Sequence, residues 1–336
     1  MSPPLTPPLT LEWRPFRFAL PRALVTAQGA LQERAGWLLR LQASDGRLGW
    51  GEAAPLELGV GLRGGAPGAC ADTLEACRAT IAELGPSLSR QLLEEALPTL
   101  PGSLAFGIGA ALAELEGLAE GWLAAPPSAW LLPAGVAVLP ALEEALASNA
   151  QTLKWKVAAG DDARERQLLE VVLERLPEGG RLRLDANGGW DRATAAAWAE
   201  RLAGEPRLEW LEQPLADDDL EGLEALVARL PVALDESLRR HPWLRQRWSG
   251  WQVRRPALEG DPRRLLAALA AGRAGWMVST AFETGVGRRL VEHAAALQWR
   301  GPTPTAPGLA PQWRPTGPLF DADPAVAWAS LEAEGP

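Results

Sequence analysis

From about residue 130 onward the chain repeats a single unit. Short apolar runs at 135–139, 153–157, 182–185, 208–212, 232–235, 251–255 and 276–280 alternate with stretches of helical periodicity. Their spacing, roughly 20 to 30 residues, is the length of one strand–helix unit. Strands joined through helices pair in parallel, so the pattern points to a doubly wound sheet or a closed barrel. Seven units in series, without a Gly-x-Gly-x-x-Gly dinucleotide fingerprint, favour the barrel.

The first part of the chain, to about residue 128, reads differently. Segments 12–20 and 36–42 read as strands, the second followed by the turn Ser44-Asp45-Gly46. Residues 71–84 and 104–124 have helical periodicity, and the Gly-rich stretch 56–68 reads as a mobile loop. Ala125-Pro126-Pro127 punctuates the chain as a linker. From about residue 311 the sequence is Pro-rich and then helical, and it is expected to return to the first domain. The expected organisation is an α+β domain over 1–128, joined by the tail 311–336, and a β/α barrel over 129–310.

Composition narrows what such a fold acts on. Apolar residues make up 47% and charged residues 22% of the 336, ordinary for a soluble globular chain. A net charge of −9 argues against nucleic acid or an anionic membrane face as the partner. The start MSPPLTPPLT lacks a basic segment followed by an apolar run, and no apolar run reaches roughly 18 residues. Cys70 and Cys77 lie seven residues apart in a helical pattern. That separates them by about 10 Å along the axis, too far for a disulfide. A reducing cytoplasm is the expected location. One bias stands out: of 33 Lys and Arg residues only two are Lys, and these are Lys154 and Lys156 in one strand-like run. Arg keeps its proton near neutral pH, whereas Lys yields it when its pKa is lowered, so the surviving pair points to amine chemistry.

In β/α barrels the active site sits at the C-terminal ends of the strands. Here the second run ends Lys154-Trp155-Lys156, the third Asp185-Ala186-Asn187 and the fourth Glu212-Gln213-Pro214. The fifth ends Asp235-Glu236-Ser237 and the sixth Arg255-Pro256. A single acid after a strand is ordinary helix-capping chemistry. Three at successive strand ends, with no His or Cys beside them, form a hard oxygen site that selects Mg²⁺ or Mn²⁺ over Zn²⁺. Side chains alternate along a strand, so Lys154 and Lys156 point together into the barrel, their Cα atoms about 6.6 Å apart. Mutual repulsion and a nearby metal are expected to lower both pKa values towards that of a working base. Ser279, Thr280 and Phe282 on the seventh strand, and Gly308 on the eighth, are candidate substrate contacts. Backbone N–H groups near 283–287, a helix start, are suited to hold a second carboxylate.

The series Lys-Trp-Lys, Leu-Asp-Ala-Asn, Glu-Gln-Pro and Asp-Glu-Ser, preceded by Gly49-Trp50-Gly51-Glu52-Ala53-Ala54-Pro55, resembles the enolase superfamily in its muconate-lactonising subgroup. The match runs from about residue 14 to about 310. The resemblance implies a modified (β/α)7β TIM-like barrel with an α+β capping domain, acting on a small-molecule carboxylate. It further implies Mg²⁺ on Asp185, Glu212 and Asp235, and Lys156 as the base that removes the proton beside the substrate carboxylate. Lys154 would support that base, and Asn187 would be a substrate contact.

One position departs from the subgroup, which has Lys-Pro on the sixth strand where this chain has Arg255-Pro256. A racemase swaps protons across two faces, and an Arg, with a pKa above about 12, is a poor partner for that. A syn dehydration uses one lysine as base and then acid, and needs only a positive charge opposite, which Arg255 supplies. The seventh strand lacks the His of the sugar-acid dehydratases, and Pro307-Gly308-Leu309-Ala310 lacks the acids of the dipeptide epimerases. Within the subgroup the chain most resembles the o-succinylbenzoate-forming branch, and that resemblance implies a dehydration in quinone biosynthesis. A cycloisomerase, an N-acylamino acid racemase and a non-catalytic barrel are the alternatives, the last motivated by Arg255.

Overall fold

A computed structural model of the chain describes residues 8–57 and 71–332. Cys70 and most of the Gly-rich stretch 56–68 lie outside the described residues. The first part forms an antiparallel sheet from β1 (Leu9–Thr26), β2 (Gly29–Gln42), β3 (Leu48–Ala53) and the short β4 (Ser87–Leu88), in the order β3-β2-β1-β4. Alternation places Leu9 and Leu11 of β1, and Trp37, Leu39 and Leu41 of β2, on one buried face. Three helices accompany the sheet: α1 (Leu74–Leu84), α2 (Arg90–Ala96) and α3 (Gly102–Leu115). Helix α3 is almost wholly buried, and it lies against β3 backbone to backbone: a Cβ on Gly51 would stand 1.9 Å from the Gly107 carbonyl oxygen. That contact requires Gly at this position. The helix ends at Leu115, short of the expected 124, where Gly117 turns left-handed at φ 104°.

The second sheet is parallel, and among the described residues it has seven strands in sequence order. They are β5 (Trp130–Leu132), β6 (Thr152–Lys156), β7 (Arg181–Asp185), β8 (Leu208–Glu212), β9 (Val232–Leu234), β10 (Trp251–Arg254) and β11 (Trp276–Val278). The helices between them are α4 (Val138–Ala147), α5 (Asp162–Arg175), α6 (Arg192–Leu202), α7 (Leu220–Val227), α8 (Glu236–Arg240), α9 (Leu244–Arg247) and α10 (Arg263–Ala270). Helix α11 (Gly285–Trp299) follows β11. The segment 305–309 closes the ring: Gly308 bridges Ser279 in parallel, and Ala129 N–H donates to the Pro307 carbonyl at 2.9 Å. This is the capped, TIM-like barrel that the strand repeat and the family resemblance imply.

The first barrel strand is a correction. The apolar run at 135–139 is a 3₁₀ turn leading into α4, and the strand is Trp130–Leu132 instead. Only three residues pair there, too few to show a period against the apolar start of α4. Inside the barrel Trp210, Ala233, Val253 and Met277 form one cluster. Arg183 is fully buried against it, its guanidinium 4.1 Å from the Trp210 ring and hydrogen-bonded to Glu209 and Thr305. The final helix, α12 (Pro324–Ala329), sits on the antiparallel sheet: Ala327 and Trp328 pack with Phe16, Leu38 and Trp50.

Candidate active site

Strand β6 sorts its own side chains. Leu153, Trp155 and Val157 pack into the core shared with the surrounding helices, which turns Lys154 and Lys156 to the opposite, inward face. The registered pairing of β6 with β7 and of β7 with β8 sets Lys156, Asp185 and Glu212 side by side. Lys154 Nζ lies 2.5 Å from Glu212 Oε1 and 2.8 Å from Asp185 Oδ2. Lys156 Nζ lies 2.6 Å from Asp185 Oδ2 and 2.8 Å from Asn187 Oδ1. On the far side Arg255 Nε lies 3.0 Å from both oxygens of Asp235, and another guanidinium nitrogen donates to the Thr280 carbonyl.

Gln213, whose role the sequence did not disclose, ties two strand ends together. Its side-chain oxygen accepts from the backbone N–H groups of Asp235 and Ser237, and its amide nitrogen donates to Leu215 and Ser237. It holds this place with a left-handed backbone, φ 38°. The Gln of Glu-Gln-Pro was the signal, but a glutamine after a ligand-like acid does not state which backbone it will staple.

The three carboxylates of this buried set, faced by three cations, are not equivalent. Burial alone would push the Asp185 carboxyl up, but Lys154 and Lys156 hold it well below the usual range. Asp235 is likewise lowered, because Arg255 outweighs burial. Glu212 gives way: burial first, then the charge of Asp185, pushes it up to about 7. Burial would lower Lys154, but Asp185 and Glu212 outweigh it and raise its pKa. Two carboxylates within hydrogen-bond reach of its ammonium thus set the direction for Lys154, against the lowering expected from the neighbouring lysine.

Among the described residues no three acids stand close enough to form a ready-made metal cage. The oxygens of Asp185, Glu212 and Asp235 are instead covered by the ammonium and guanidinium groups. The donor set nonetheless fits a hard divalent cation: three buried carboxylates on successive strand ends, one of them pushed up to about 7 by burial and by the charge of Asp185.

A small cavity of about 40 Å³ opens above the cations, walled by Lys154, Lys156 and Arg255. Ser279, Thr280, Phe282 and Gly308 line the same cavity, and Leu24 of β1 reaches it from the cap. Asn187 does not line it, because both ends of its amide are taken by Lys156 and Glu236. A much larger cleft, about 1340 Å³, runs between α1 and α2 on one side and α8 and α10 on the other. The lysines line the small cavity and not the cleft. The helix start at 283–287 is already filled. Glu52 of the cap accepts from the N–H groups of Thr284 and Gly287 through one oxygen, so the carboxylate held there is the chain's own.

Comparison with known proteins accords with this geometry. Residues 138–248 match the family model described as enolase C-terminal domain-like. The chain is 33% identical to the o-succinylbenzoate synthase of Thermosynechococcus vestitus over 295 residues, which is 84% of this chain and 87% of that protein. The chain belongs to the o-succinylbenzoate synthase family. A second member, from Yersinia enterocolitica, is 32% identical and covers 88% of each chain. The crystal structure of the o-succinylbenzoate synthase of Thermosynechococcus elongatus, complexed with Mg in its active site, superposes with a TM-score of 0.79 at 30% identity. It covers 96% of this chain and all of that one. A muconate lactonizing enzyme from Pseudomonas fluorescens, at 23% identity and a TM-score of 0.67, shares the fold, covering 86% of this chain and 84% of that one.

Proposed function

We propose that the chain dehydrates 2-succinyl-6-hydroxy-2,4-cyclohexadiene-1-carboxylate to 2-succinylbenzoate, an aromatic acid on the route to menaquinone or phylloquinone. The observation that carries this reading is the cavity with two lysines on one side and a non-exchangeable cation, Arg255, on the other. Lys156 takes the proton next to the ring carboxylate. Arg255, whose pKa Asp235 raises against the effect of burial, keeps its charge and faces the enediolate that forms. Lys156 then returns its proton to the departing hydroxide on the same face. Lys154 holds Glu212 and Asp185 in place beside it. Asp185, Glu212 and Asp235 would hold Mg²⁺, which when bound supplies Lewis-acid charge at the substrate carboxylate. Ser279, Thr280, Phe282 and Gly308 shape the wall against which the substrate rests. No helix among the described residues is long and apolar enough to cross a membrane.

The test is absorbance-monitored aromatisation of that substrate with Mg²⁺ by wild type and by Lys156→Ala. Turnover by wild type and its loss in the variant are expected. A purified, Mg²⁺-loaded wild type that never aromatises the diene would overturn the assignment.

A further inference from the structure

Glu236 is buried, 3% exposed; it borders the larger cleft, but neither the metal set nor the wall of the small cavity uses it. Its Oε1 accepts a 2.9 Å hydrogen bond from Asn187 Nδ2, and its other oxygen has no hydrogen-bond partner among the described residues. The other end of the same amide, Asn187 Oδ1, meets Lys156 Nζ at 2.8 Å. The Asn187 backbone is pinned: its N–H donates to Asp185 Oδ1, its carbonyl accepts from Gln28 of the cap, and its φ is 45°. The remaining freedom is the flip of the amide. A carboxylate accepts only, so Glu236 draws the NH₂ end towards itself and leaves the carbonyl end on the lysine. Flipped, the NH₂ would face the ammonium and the contact would be lost.

We propose that Glu236 is a positioning residue which, through Asn187, aims Lys156. A neutral amine has two N–H groups and one lone pair, and it acts as a base only along the lone pair. Asp185 and Asn187 both accept from Lys156, which turns its third position to the cavity. Asn187 is the uncharged member of that pair, so it orients the amine without holding the proton on it. This assignment rests on the reading of Lys156 as the base.

The two-lysine composition makes the test direct. Lysine-selective nitrogen-15 labelling yields only two side-chain signals, from Lys154 and Lys156, and Lys156→Arg assigns them. In Glu236→Leu the Lys156 signal is expected to move while that of Lys154 stays. Glu236→Gln, whose carbonyl still accepts from Asn187, restores it. With the cyclohexadiene substrate and Mg²⁺, Glu236→Leu should lose roughly 10- to 100-fold in kcat with little change in KM. The double variant with Asn187→Leu should be no slower than Asn187→Leu alone, because one relay is broken in both. Glu236→Ala serves if Glu236→Leu does not fold. An unmoved Lys156 signal, additive losses, or a Gln variant as poor as the Leu variant would each sink the proposal. A wild type with no turnover would instead sink the assigned reaction, and the two lysine signals would still decide the role of Glu236.

Discussion

At the scale of single residues, the position proposed to decide between reactions is Arg255. Its guanidinium grips Asp235 and the Thr280 carbonyl, and it walls the cavity across from the lysines. An Arg there stabilises negative charge but neither gives nor takes a proton. Arg255→Lys should therefore open the second face to proton exchange. With an N-succinyl amino acid in deuterated water, the variant is expected to wash deuterium into the α-position with inversion, whereas wild type does not invert. Dehydration should survive in the variant, because positive charge remains opposite the base. A variant that still fails to invert would show that the cavity, rather than the proton inventory, excludes racemisation. Much of this site was legible in the sequence. An Arg-rich chain that keeps Lys only at 154 and 156 advertises both, and acids closing successive strand runs advertise a shared mouth. The supporting residues were not legible. Glu236 and Gln213 act through hydrogen bonds to groups 49 and 22 to 24 positions away, and no local pattern carries that information.

At the scale of elements, one of the ties between cap and barrel is a single buried carboxylate. Glu52 on β3 satisfies backbone donors at the start of α11 and accepts from the Thr284 hydroxyl. Burial raises its pKa to about 7, with the Thr284 hydrogen bond opposing and the charge of Glu283 adding to the rise. The folded state thus holds a proton that the unfolded chain, with a value near 4.5, releases. The stability this contributes is fully present below about pH 4.5 and is lost as pH rises through about 7. Glu52→Gln removes the titration and keeps an acceptor for the helix start. Urea unfolding at pH 5 and pH 8 should show the variant gaining on wild type as pH rises, by at most about 3 kcal/mol. A difference independent of pH would mean that the helix start keeps Glu52 ionised throughout. Sequence reading foresaw an anion site at 283–287 but not its occupant, because the partner lies 232 residues earlier in the chain. Strand β5 was misplaced for a related reason. Three paired residues carry too little periodicity to compete with the apolar start of α4.

At the scale of the whole molecule, the barrel buries three carboxylates and three cations together at its mouth. The repeat of strand and helix made the barrel legible from sequence. Its closure was less so, since the eighth position is held by an isolated bridge at Gly308 and by single hydrogen bonds around it. That ring sets Asp185, Glu212 and Asp235 on neighbouring strand ends, and burial, with the charge of Asp185, pushes Glu212 up to about 7. Arrangements that serve a site at the expense of the fold have a recognisable signature: removing the strained group stabilises the molecule and removes the function. Glu212→Gln keeps an acceptor for Lys154 and deletes the repelled charge. Without metal at pH 8, the variant is expected to melt above wild type. Saturating Mg²⁺ should reverse the order. An ion present at 100 times its dissociation constant adds about 2.7 kcal/mol to the state that binds it, and only wild type presents all three carboxylates. Thermal melts of both proteins, with Mg²⁺ and with chelator, give four numbers. A crossing of the two orders would show that the mouth is built for a cation that the chain does not itself provide. If Glu212→Gln melts lower in both conditions, the Lys154–Glu212 pair is a net support of the barrel and the metal role must rest on the other two acids.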